Sequence, residues 1–231
     1  MNSVAVIPAR GGSVRIRRKN VKMFCGRPMI AWSIAACRTA GCFDRIVVST
    51  DDTEIADVAT SEGAEVPFRR PDELADDFAT TLDVMAHAAE ALELHDKAIV
   101  ACVYATAPFL TGATVATAVS ALGSHDYVLG ICDYPYPIQR SLIQAKDGTV
   151  RMEQPEHLLT RSQDLPARYH DIGQFYIARS ATWIAQQPIF GPTSLGLWVP
   201  RSRVCDIDTP EDWKEAEQLF KAISSTERGG T

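Results

Sequence analysis

Arg10, Gly11, Gly12 and Ser13 follow directly on the apolar run at residues 4–8 and lead into Arg15, Arg17, Arg18, Lys19 and Asn20. Such a cluster of cations reverses the local sign of a chain of 231 residues whose formal net charge is -6. Glycines let backbone N–H groups approach a bulky anion, while guanidinium and hydroxyl groups add directed donors, so the chemistry these residues fit is polyphosphate binding. A solvated basic turn is the competing reading. Two common phosphate loops are excluded. There is no GxxxxGK[ST], and the glycine pair lacks the third glycine and the helix start of a dinucleotide fingerprint.

A second set of reactive groups comes late. Asp206 and Asp208 are two apart, so a strand would put both carboxylates on one side, a donor pair suited to Mg2+. Thr209 and Pro210 then read as the cap and first residue of a helix. Asp51 and Asp52 form another acidic pair, read either as a metal site or as the cap of the helix that follows.

These groups need elements to hold them. Residues 4–8 are apolar and too few for a helix, so a central strand fits them better, and the loop after it stands where open α/β sheets bind ligands. Residues 28–41 show helical spacing of Ile30, Ile34 and Cys37, with Pro28 at the start and Gly41 at the stop. Residues 45–50, 97–103 and 126–132 read as further buried strands, with helices after the first two, and residues 64–92 as a short strand, a Pro-bounded turn and then a helix. The alternation predicts βαβ units and a mostly parallel sheet. From residue 134 that rhythm is lost. Prolines and an Asp-Gly turn at Asp147 predict a hairpin excursion over about 134–172.

The loop VAVIPARGGSVRIRRKN resembles the signature IPARGGSKRIPRKN of the cytidylyltransferases that activate nonulosonic (sialic-type) acids. Arg10, Gly11, Gly12, Ser13, Arg15, Arg18, Lys19 and Asn20 are kept, whereas Val14 stands for the usual lysine and Arg17 for the usual proline. RRPDELADD resembles that family's RP-x-x-LA-x-D element, YATAPF replaces its QPTSPLR, and DIDTPEDW is typical of it. TRSQDLPARYHDIGQFY is most similar to the branch acting on pseudaminic acid. The similarity runs from residue 4 to 213.

The resemblance implies a Rossmann-like α/β nucleotidyltransferase fold and the reaction of CTP with a nonulosonic acid to give a CMP-sugar and pyrophosphate. Pseudaminic acid is the first choice, N-acetylneuraminic or legionaminic acid the alternative, and a nucleotide-binding homologue with little turnover a further one. A pyrophosphorylase acting on a sugar phosphate is disfavoured by the sugar segment. By resemblance Arg10, Lys19 and Asp208 are catalytic. Ala9, Gly11, Gly12, Ser13, Arg15, Asn20, Arg70, Ala79 and Thr81 join them on the nucleotide, with Thr80 the other hydroxyl beside the base. Tyr104, Thr106, Arg161, Gln163, Arg168, His170, Asp171 and Gln174 belong to the sugar acid, an arginine suiting its carboxylate. Asp206 and Asp208 hold Mg2+, and the excursion mediates a homodimer.

Composition sets the remaining bounds. A 46% hydrophobic content supports one domain over 1–231, with 224–231 expected to be a loose tail. There is no membrane-length apolar run and no signal-peptide pattern, so a cytoplasmic protein is expected. Cys25, Cys37, Cys42, Cys102, Cys132 and Cys205 form no CxxC pair and read as free thiols. The acidity argues against nucleic acid as a partner.

Overall fold

The computed structural model describes residues 3–229. Its centre is a six-stranded sheet. β1 (Ser3–Pro8) pairs in parallel with β4 (Arg45–Ser49) on one side and β5 (Ile99–Val103) on the other. β6 (Tyr127–Asp133) lies parallel to β10 (Leu195–Trp198), and β9 (Tyr169–Arg179) runs antiparallel between β5 and β6. Two small antiparallel pairs complete the strands: β2 (Met23–Phe24) with β3 (Arg27–Pro28), and β7 (Leu142–Gln144) with β8 (Val150–Met152).

Burial on both faces explains the unbroken apolar runs. In β1, Ala5 and Ile7 join a core with Ile30, Ile34 and Cys37 of α1 (Met29–Ala40), Ile55 of α2 (Thr53–Ser61) and Val115 of α4 (Gly112–Ala121). Val4 and Val6 face the opposite core, with Met85 of α3 (Thr81–Ala91) and Trp183 of α5 (Ser180–Ile184). A third cluster seats Trp213 of α6 (Pro210–Gly229) against Phe24 and Phe109. Fully burying a side chain of this size is worth about 1.5–3 kcal/mol. Gly41 closes α1 at φ 64°, the left-handed stop read from the sequence.

Four expectations change. Residues 204–208 form no strand; they are extended chain outside the sheet, and β10 joins the main sheet as a strand not expected from the sequence. The excursion ends earlier than residue 172, because Tyr169 already pairs with Asp133 in the sheet. β9 can return there because Gly130 faces it, where a Cβ would stand 2.4 Å from the Ile172 Cδ1. The short strand expected after residue 63 is reduced to the isolated bridges Val47 to Glu65 and Thr50 to Arg69. Finally, α6 continues through the expected loose tail as far as Gly229, while residues 230 and 231 lie outside the described residues. All six cysteines are free, as expected.

Candidate active site

Pro8 ends β1 at the carboxyl edge of the sheet, and the phosphate-loop candidates start there. The Ala9 N–H donates to Ser49 O at 3.0 Å and the Gly11 N–H to Asp51 Oδ1 at 3.0 Å, fastening the loop to the end of β4. A Cβ on Gly11 would stand 2.7 Å from Asp52 Oδ2, so the close approach requires glycine. Buried Asn20 donates through Nδ2 to Arg10 O at 2.9 Å and closes the loop across its base.

Arg10, Ser13, Arg15, Lys19 and Asn20 line a crevice of about 260 Å³ together with Arg70, Ala79, Thr80, Thr81, Tyr104, Thr106 and Asp208. Ala9, Gly11 and Gly12 do not line it. Ala9 is 1% exposed and packs in the core, so its part, like that of Gly11, is to shape the loop through the backbone. Val14, in the place of the resembled lysine, does line the crevice and is 83% exposed, a position from which a longer cationic side chain could reach an anion.

Arg70 lies at the base of this crevice, 3% exposed. Its Nε donates to Ser49 Oγ at 3.1 Å and its Nη2 to Ser49 O. Burial pulls its pKa down to about 10, so it keeps its charge at neutral pH. Thr81 opens α3 after Thr80, whose side chain caps the helix by accepting from the Asp83 N–H while Asp83 accepts from the Thr80 N–H. Asp76 Oδ1 accepts from the Phe78 and Ala79 N–H groups, both at 2.8 Å, and so shapes the turn before that helix. Arg10 reaches over to the same turn, at 2.7 Å from Asp76 O and 2.6 Å from Asp77 Oδ1. The sequence reading missed this clasp, although the paired aspartates were in view.

Asp208 faces the cationic loop. Arg15 Nη1 lies 2.6 Å from Asp208 Oδ2, and Lys19 Nζ 3.3 Å from Asp208 Oδ1. Ile207, 2% exposed, anchors the extended run, and Thr209 and Asp212 exchange backbone bonds to cap α6 as anticipated. Asp206, on the other side of Ile207, lines a second hollow of about 420 Å³ with Thr106, His170, Asp171 and Gln174. Thr106 belongs to both. Among the described residues no group of three or more metal-ligating side chains occurs. Asp208 beside the cationic loop, with Asp206 two residues back in the adjoining hollow, would fit Mg2+, which needs only one or two protein oxygens beside those of phosphate.

Four of the sugar candidates therefore meet at the second hollow. Tyr104 lines the crevice and is linked to the hollow through Tyr176. Its hydroxyl is 2.6 Å from Thr81 Oγ1, and its ring meets Tyr176 edge-on at 5.9 Å between centroids. The Tyr176 hydroxyl donates to Asp171 Oδ2, and burial raises the pKa of both phenols, so both stay protonated. Gln174 donates to Arg203 O at 2.8 Å. Arg161 and Gln163 line neither space. They sit in the excursion, where Arg161 pairs with Asp164 at 2.7 Å, and Arg168 is exposed beside them. Asp52 caps α2 by accepting from the Ile55 N–H at 3.0 Å, which supports capping over a metal role for the early acidic pair.

A mostly parallel α/β sheet carrying a cation-lined crevice at its carboxyl edge is the architecture of a nucleotidyltransferase. The chain belongs to the cytidylyltransferase family, whose model matches residues 4–224. It is 40% identical to the pseudaminic acid cytidylyltransferase of Campylobacter jejuni subsp. jejuni serotype O:23/36 (strain 81-176), over 96% of this chain and 97% of that one. It is 32% identical to the CMP-N,N'-diacetyllegionaminic acid synthase of Legionella pneumophila subsp. pneumophila (strain Philadelphia 1), over 96% and 97% of the two chains. The solved CMP:2-keto-3-deoxy-manno-octonic acid synthetase complexed with CTP shares the fold at a TM-score of 0.69 and 16% identity, covering 96% of this chain and 100% of that one.

Proposed function

We propose that the chain transfers the cytidylyl group of CTP to a nonulosonic acid, with pseudaminic acid the substrate. The observation that carries the reading is the meeting of Asp208 with Arg15 and Lys19 in a crevice that Arg70 and Thr81 also line. The relatives' names supply the substrate class, and the name at 40% identity supplies the particular acid.

Arg10, Ser13, Arg15 and Lys19 hold the triphosphate, their charge offsetting that of the leaving pyrophosphate. Arg70 and Thr81 present a donor and a hydroxyl to the base edge. The second hollow receives the sugar acid, bringing its anomeric C2 hydroxyl in line with the α-phosphorus. The new bond joins that oxygen to phosphorus as the bond to the β-phosphate oxygen breaks, pyrophosphate leaves and the hydroxyl proton passes to solvent. Asp206 and Asp208 would hold Mg2+, which supplies further charge neutralisation on the phosphate oxygens. No side chain is assigned as an obligatory base.

The excursion exposes Tyr136, Leu142, Leu158 and Leu159, an apolar surface that a second copy would cover, and this arrangement supports a homodimer. Arg161 and Gln163 would then serve the partner's hollow. The reaction belongs to the cytoplasm, where CTP is made; among the described residues no helix is long and apolar enough to cross a membrane. The test is product mass spectrometry after incubation with CTP, Mg2+ and pseudaminic, neuraminic or legionaminic acid separately. A CMP adduct of pseudaminic acid alone is expected. Adducts of another acid only would reassign the substrate, and none with any acid would remove the reading.

A further inference from the structure

Arg18 is the one cation of the basic loop that turns its bonds onto α2. Arg15 and Lys19 line the crevice, whereas Arg18 grips Asp52 through Nη1 at 2.5 Å and Nη2 at 2.8 Å, and also reaches Glu54. Its backbone is left-handed, φ 55°, a conformation that a side-chain-bearing residue keeps only when its surroundings enforce it. The Arg18 carbonyl accepts from the Val21 and Lys22 N–H groups at 3.0 and 2.9 Å, so the turn that sets Lys19 is made at this residue. Its Nε is buried without a hydrogen-bond partner among the described residues, leaving the carboxylates as its side-chain anchors. Asp52 receives this guanidinium while capping α2 and standing against Gly11, whose N–H is held by neighbouring Asp51.

We propose that Arg18 and Asp52 are positioning residues that lock the phosphate loop into its triphosphate-binding shape by docking its back onto the start of α2. The proposal rests on the reading that the crevice takes CTP. It makes the loop preformed: the ordering cost of placing Arg15 and Lys19 is met in the free protein by a bond pair that touches no substrate.

Arg18→Lys keeps the charge and loses the two-pronged grip, and Asp52→Asn keeps a good helix cap and loses the ion pair. Calorimetric titration with CTP is compared for wild type, each variant and the double variant, alongside steady-state kinetics. Each single variant is expected to weaken CTP binding roughly tenfold, with kcat at saturating CTP within about threefold and the sugar-acid KM unchanged, and the double variant to be no weaker than the worse single one. Folded single variants that bind CTP within about twofold of wild type, or losses that add in the double variant, would overturn the positioning role. Failure of the wild type to bind CTP would instead remove the reading of the crevice.

Discussion

Arg15 Nη1 and Asp208 Oδ2 lie 2.6 Å apart although 193 positions separate them in the chain. Under the proposed function Asp208 would hold Arg15 and Lys19 until CTP takes its place and would then be free to face Mg2+, so that one group would both compete with the nucleotide and serve its turnover.

That double role gives opposite signs to two measurements on Asp208→Asn. CTP binding without metal should tighten, because a competing charge is gone. Turnover should fall at least about a hundredfold, since loss of charge stabilisation at transferring phosphates costs several kcal/mol. Weaker metal-free CTP binding in the variant would contradict the competition.

Arg70→Ala should harm both binding and stability. The side chain is 3% exposed and bonds both Ser49 oxygens, so truncation takes the donor from the Ser49 hydroxyl, while Ser49 O keeps the Ala9 N–H, at a cost of roughly 1–3 kcal/mol. The expected result is a raised CTP KM together with a lower Tm. A lowered Tm with an unchanged CTP KM would leave Arg70 a purely structural role.

Acid should weaken the Arg18 dock in a defined window. The guanidinium pulls the Asp52 pKa from 3.8 to about 2. As pH falls between these values the unfolded chain takes up the proton first, so this contribution is present above about 4 and lost as pH falls through about 2. Urea unfolding of wild type and Asp52→Asn should differ most at neutral pH, with the gap closing toward pH 2. A gap constant across that range would exclude the ion pair as its source.

Val14→Lys should tighten CTP binding by about two- to fivefold at low salt, with the gain fading as ionic strength rises, because position 14 lines the crevice and is open to solvent. Titrations at two salt concentrations are sufficient to see it. Equal affinity of the two proteins at low salt would show that this position lies out of reach of the phosphates.

Leu159→Glu should shift the protein toward monomer in sedimentation, because Leu159 is 92% exposed on the excursion and a charge there opposes apolar contact. An unshifted dimer would place the interface elsewhere.

The sequence alone determined the local elements. The apolar run of β1, the Pro28 start and Gly41 stop of α1, the Asp52 cap of α2, the Thr209 cap of α6 and the Asp-Gly turn between β7 and β8 are all written in short windows of residues. The cationic loop and the DxD pair were legible as types, and their resemblance to known motifs pointed to one crevice. Only the tertiary structure decided how the charges pair: Arg10 with Asp77, Arg15 and Lys19 with Asp208, Arg18 with Asp52. Only it placed Asp208 in the crevice and Asp206 in the adjoining hollow, and left Arg161 outside both spaces. It also showed that residues 204–208 hang beside the sheet and that β9 enters it reversed. The reason is physical. Strand propensity and charge are properties of a segment, but the sheet neighbour a strand finds and the counter-ion a long side chain meets are set by chain brought in from far away.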